Sequence, residues 1–74
     1  MRINIKLYAT LRDGRFDRKI LEFPEDTTVF DIINTLNIKE KEAAIIFINN
    51  KHVEFNTVLA EGDTLAVFPP IGGG

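Results

Sequence analysis

Only one stretch of this chain repeats its apolar residues with the period of a helix. In "DTTVFDIINTLNI", Val29, Ile32, Ile33 and Leu36 fall at i, i+3, i+4 and i+7, so they share one stripe. Thr28 is a good N-cap, with Asp31 three residues on as a capping-box partner suited to the helix dipole. Asn37 can take the left-handed conformation that ends a helix, and Ile38 can fold back onto it. The other apolar residues come in short extended runs. Arg2 to Tyr8 alternates, placing Ile3, Ile5 and Leu7 on one face. Arg18 to Phe23 reads as a second strand, paired with the first across the turn at Gly14 and stopped by Pro24, which lacks a donor.

Ala43 to Ile48 and Thr64 to Phe68 read as two further strands, and "HVEF" from His52 as a short strand or edge segment. "NNK" and "EGD" mark the turns between them. One helix in the order strand, strand, helix, strand, short strand, strand predicts an α+β chain. Its fold is the β-grasp, or ubiquitin-like roll: a mixed sheet of four to five strands packed on one helix. The connection through the helix is the crossover that a parallel strand pair requires.

The third strand conflicts with that plan. Ala43 to Ile48 is apolar without alternation, the pattern of a strand covered on both faces. One helix covers only one. Ile45 and Phe47 point one way and Ile46 and Ile48 the other, while Leu65 and Val67 oppose Ala66 and Phe68. One set is therefore expected to form an exposed apolar patch of the kind that receives a partner, with Phe47, Ala66 and Phe68 as its candidate residues. The alternative is that loop residues such as Phe55 and Leu59 fold over that face.

Seventy-four residues make one domain, expected over 1–68 with an extended tail over 69–74. The net charge of −2 and the absence of a basic stripe argue against nucleic acid. The densest basic stretch, Arg12 to Lys19, also holds Asp13 and Asp17 and reads as a solvated hairpin. With no cysteine there are no disulfides, thiolate metal sites or thiol nucleophiles. His52 stands alone, without a partner to orient it for acid–base work or a second ligand for a metal. Asp13 with Asp17, and Glu40 with Glu42, read as solvating charges. No intrinsic catalytic residue, metal site or bound cofactor is expected, so the chain does not read as an enzyme. Neither a signal-type run nor a membrane span follows Met1, which sets the cytoplasm as the expected compartment.

The chain closes on "FPPIGGG". Pro69 and Pro70 end ladder pairing and favour an extended path. Gly72, Gly73 and Gly74 lack Cβ atoms, so their backbone can thread a narrow channel. Without a following helix, or the Lys and Ser/Thr of a phosphate loop, the glycines do not read as a nucleotide site. The reactive group is then expected to be the α-carboxylate of Gly74, inert until a partner activates it.

"EGDTLAVFPPIGGG" resembles the C-terminal signature of the MoaD family, the small subunits of molybdopterin synthase. Gly62-Asp63 and Phe68-Pro69-Pro70-Ile71 match its turn and exit in register, and Gly73-Gly74 fall at the chain end, as that signature expects. Gly72 stands where the family often has Ala, Ser or Thr. "IKLYATLRDG" is similar to the family's first strand and turn, and "FPEDTTVFDIINTL" to its helix entry.

The resemblance implies a sulfur carrier. An adenylyltransferase of the MoeB/ThiF type would use ATP to adenylate Gly74, and sulfur would displace AMP to leave a thiocarboxylate. The tail, Pro69, Pro70, Ile71, Gly72 and Gly73 included, would then insert into a MoaE-type large subunit and donate sulfur to a pterin. ThiS carriers of thiamin biosynthesis also end in Gly-Gly, although they usually lack the double proline. A ubiquitin-like modifier joined to proteins through Gly74 would use the same activated end.

Overall fold

The computed structural model describes residues 1–70. Its strands are β1 (Arg2–Leu7), β2 (Arg18–Glu22), β3 (Ile45–Ile48), β4 (Lys51–His52) and β5 (Thr64–Phe68), with one α-helix, α1 (Val29–Thr35), among the described residues. They form a single sheet in the order β2-β1-β5-β3-β4. The central pair, β1 and β5, is parallel and every other pair is antiparallel. This is the β-grasp expected from the sequence, with the helix inside the connection that the parallel pair needs.

Period-two burial builds the core. Ile3, Ile5 and Leu7 of β1, Leu65 and Val67 of β5, and Ile46 and Ile48 of β3 are all buried, packed with Val29, Ile32 and Ile33 of α1. The helix starts where its cap predicts. Thr28 Oγ1 accepts from the Asp31 N–H at 3.2 Å, and Asp31 Oδ2 accepts from the Thr28 N–H at 3.0 Å. It ends with Asn37 at φ 60° and the Ile38 N–H donating to the Ile33 carbonyl at 2.8 Å. Leu36, the last residue of the predicted stripe, lies beyond the helix and is only half-buried.

The basic connection between β1 and β2 is more than a solvated hairpin. A 3-10 turn (Ala9–Arg12) opens it. Arg15 then reaches across to the end of α1, where its Nε donates to the Leu36 carbonyl and its Nη2 to the Asn37 carbonyl, both at 3.0 Å. Its Nη1 donates to the Leu11 carbonyl at 3.1 Å. A fixed guanidinium fork thus satisfies carbonyls that the terminating helix leaves without partners.

β3 differs from its sequence pattern, because it is covered on one face only. Ile46 and Ile48 are buried, whereas Ile45 and Phe47 are half-exposed on the side away from α1. β4 is shorter than "HVEF". After His52 the chain leaves the sheet and returns along α1, with Val29 N–H donating to Thr57 and Phe30 N–H to Phe55. Leu59 is buried in the core and Phe55 packs against it, so neither folds over the open face.

Candidate functional site

The strand register aligns side chains in rows on the uncovered face. Lys6 of β1 lies opposite Arg18 of β2 and Ala66 of β5; Ala66 lies opposite Phe47 of β3, and Phe47 opposite His52 of β4. The next row toward the end of β5 pairs Phe68 with Ile45. Phe47, Ala66 and Phe68 therefore all point outward, and each is half-exposed. The orientation that the sequence left open is decided by the core. Leu65 and Val67 are needed under α1, and the strand's alternation then sends Ala66 and Phe68 out.

Tyr8 completes the cluster. Its ring stacks on Phe68 with centroids 4.1 Å apart and an interplanar angle of 12°, while Phe47 meets Phe68 edge-on at 5.8 Å and 90°. Sequence reasoning passed over Tyr8, although it continues the outward series Arg2, Asn4, Lys6 along the first strand. Pro69 and Pro70 line an apolar groove of about 430 Å³ with Tyr8, Ile45, Phe47 and Phe68. The strand thus runs out at the edge of its own aromatic plate.

The margins of the plate are polar and of unlike character. On the β1–β2 side stand Lys6, Arg18 and Arg12, whose guanidinium lies 5.8 Å from the centroid of the Tyr8 ring. Arg12 Nε also donates to the Leu7 carbonyl at 3.0 Å and lies 3.6 Å from Asp17, one of the carboxylates read as solvating. On the β3 side Asn49 and Asn50 turn the hairpin with φ of 51° and 70°, the two positive values that a type I′ turn requires. Asn49 donates to Asp63 Oδ1 at 2.9 Å and accepts from the Thr64 N–H at 3.0 Å, tying that hairpin to the start of β5.

His52 is exposed and sits edge-on to Phe47 at 5.9 Å, as part of the apolar rim. Among the described residues no group of His, Asp or Glu is placed to hold a metal ion. No described helix is long and apolar enough to cross a membrane. Ile71, Gly72, Gly73 and Gly74, the sequence candidates for insertion and activation, lie outside the described residues.

A family model described as the ThiS family matches residues 5–74. No curated protein matches the sequence. Among solved structures, the chain is similar to SAMP1 from Haloferax volcanii at 23% identity and a TM-score of 0.79, over 100% of both chains. It is similar to a protein from Pyrococcus furiosus described as molybdopterin converting factor subunit 1, at 26% identity and a TM-score of 0.75, over 96% of this chain and 99% of that one. It also matches a chain in the complex of subunits 1 and 2 of the molybdopterin-converting factor from Helicobacter pylori, at 21% identity and a TM-score of 0.66, over 100% of both chains.

Proposed function

The chain belongs to the ThiS family of ubiquitin-like sulfur carriers, and from that premise we propose that it carries sulfur on the carboxyl carbon of Gly74 for molybdopterin synthesis. A carboxylate oxygen of Gly74 attacks the α-phosphorus of ATP bound to an adenylating partner of the MoeB/ThiF type, and pyrophosphate leaves. A persulfide sulfur then displaces AMP, and a thiol reduces the resulting acyl disulfide to the thiocarboxylate. A MoaE-type large subunit receives the tail and passes the sulfur to a pterin precursor. The named complex of subunits 1 and 2 from Helicobacter pylori supports that second partner. The chain itself is a co-substrate that binds no cofactor, and it works in the cytoplasm.

One observation carries this reading: Phe68, Pro69 and Pro70 lead out along an apolar groove shared with Tyr8, Ile45 and Phe47. A partner that grips this plate has the outgoing chain aimed into its own surface, so docking and tail insertion become one event. The basic margin at Lys6, Arg12 and Arg18 suits a partner that surrounds its apolar contact with carboxylates.

The test is intact mass after incubation with the adenylating enzyme, ATP and a persulfide donor. Replacement of one oxygen by sulfur, lost when Gly74 is deleted, supports the carrier. Conjugates on lysines of other proteins, with no such mass change, would replace it with a protein modifier.

A further inference from the structure

The sheet has two edges, and they are unequal. β4 contributes two residues to one edge, whereas β2 offers five to the other, with no strand outside it among the described residues. The hydrogen bonds of β1 show which backbone groups of β2 are free. Asn4 and Tyr8 donate to Asp63 and Val67, and the Arg2 carbonyl accepts from Gly62, so the even-numbered residues of β1 bond toward β5. The odd-numbered ones bond toward β2: Leu7 donates to Asp17, and the Met1 carbonyl accepts from Phe23. Arg2, Asn4 and Lys6 face Glu22, Ile20 and Arg18, which are therefore non-hydrogen-bonded pairs. It follows that Arg18, Ile20 and Glu22 turn their N–H and C=O groups outward to the open edge.

The same three residues place their side chains on the uncovered face as cation, isoleucine, anion. Ile20 is 64% exposed, the most exposed of the large apolar residues described. Arg18 lies directly opposite Lys6, an unfavourable like-charge pair. A second β2 running antiparallel, centred on Ile20, sets Ile20 against Ile20 and Arg18 against Glu22 on both sides. Each of these three pairs meets with outward backbone groups and can exchange two hydrogen bonds. Every Arg18 then gains a carboxylate on the side away from Lys6. The adjacent registers of the same hydrogen-bond phase set Ile20 against a charge instead, so the pattern selects its centre.

We infer that β2 is a homodimerisation edge, on which two copies of this chain pair antiparallel about a two-fold axis through Ile20. That axis stands perpendicular to the sheet, so both aromatic plates share one side and the two β5 strands run out in opposite directions. Neither groove at Pro69–Pro70 is covered. An edge of five residues buries less than the roughly 1,200 Å² at the lower end of stable interfaces, so the dimer is weak and concentration-dependent. The inference goes beyond the carrier reading and shares only Arg18 with the basic margin of the plate.

Sedimentation equilibrium up to about 1 mM tests it, a range suited to weak association. The mass of the unmodified chain is expected to rise from 8.4 kDa toward twice that value. Arg18→Glu and Glu22→Arg each place like charges across the axis, so each alone stays at the monomer mass. An equimolar mixture of the two restores opposite charges at both positions and associates. Ile20→Pro removes an outward N–H and no bond to β1, so it stays monomeric with its far-UV circular dichroism retained. The inference is overturned if the unmodified chain stays monomeric throughout, if the single charge swaps leave association unchanged, or if the folded mixture fails to associate. A β2 edge reserved for a strand of another protein would give the first of these results. Gly74 thiocarboxylation, measured on Glu22→Arg and Ile20→Pro, which change no residue of the basic margin, is expected to persist whichever way the masses fall.

Discussion

Arg15 shows how much can rest on one side chain that the pattern of charge does not single out. Its guanidinium donates to three carbonyls, two of them at the end of α1. Arg15→Ala should destabilise the fold by about 1–3 kcal/mol, read from urea unfolding, since charged donors to half-buried acceptors lie in that range. Arg15→Lys should recover little, because an ammonium cannot hold the fork. In sequence Arg15 is one cation among several beside Asp13 and Asp17, and only the approach of the helix end gives it a role. Phe68 is the opposite case, legible as apolar but of undecided direction. It meets Tyr8 face to face and Phe47 edge-on. Phe68→Ala should remove about 1 kcal/mol of stability. Its binding to the adenylating partner should fall much further, by about 2 kcal/mol or more if Phe68 is an anchor of the interface. Titration calorimetry beside thermal melting separates the two effects.

At the scale of elements, α1 was the most readable part of the chain and is the least able to stand alone. Seven residues are too few for an isolated helix in water, so its stability comes from its caps and from burying Val29, Ile32 and Ile33 against the sheet. Thr28→Ala removes the hydroxyl half of the capping box, leaving the residue-28 N–H bonded to Asp31, and should cost about 1 kcal/mol, with the m-value unchanged, in the same unfolding assay. The strands were readable in place and less so in length. β3 begins at Ile45 rather than Ala43, and β4 stops at His52 because the chain must turn back to cover α1 with Phe55 and Leu59. That demand is tertiary, and nothing local in "HVEF" announces it.

At the scale of the molecule, Val67 is the last buried core residue among those described, and Phe68, Pro69 and Pro70 line the open groove. Deleting Gly73 and Gly74 should therefore leave the melting temperature within about 1 °C, since a shift of 4–8 °C accompanies each 1 kcal/mol in a domain of this size. The same deletion should abolish thiocarboxylate formation by mass spectrometry. What the chain's order of residues determined by itself was the β-grasp: one amphipathic helix, period-two strands and a crossover leave few ways to bury a single apolar face. The two prolines and three glycines that close the chain carry local conformational meaning wherever they stand, and the expectation of a tail rests on them alone. The tertiary structure alone decided which side of β3 and β5 is bare, that Tyr8 joins Phe68 there, and that Arg15 closes the helix. Each of these depends on which face α1 occupies, a choice made between residues far apart in the chain, which no local period can record.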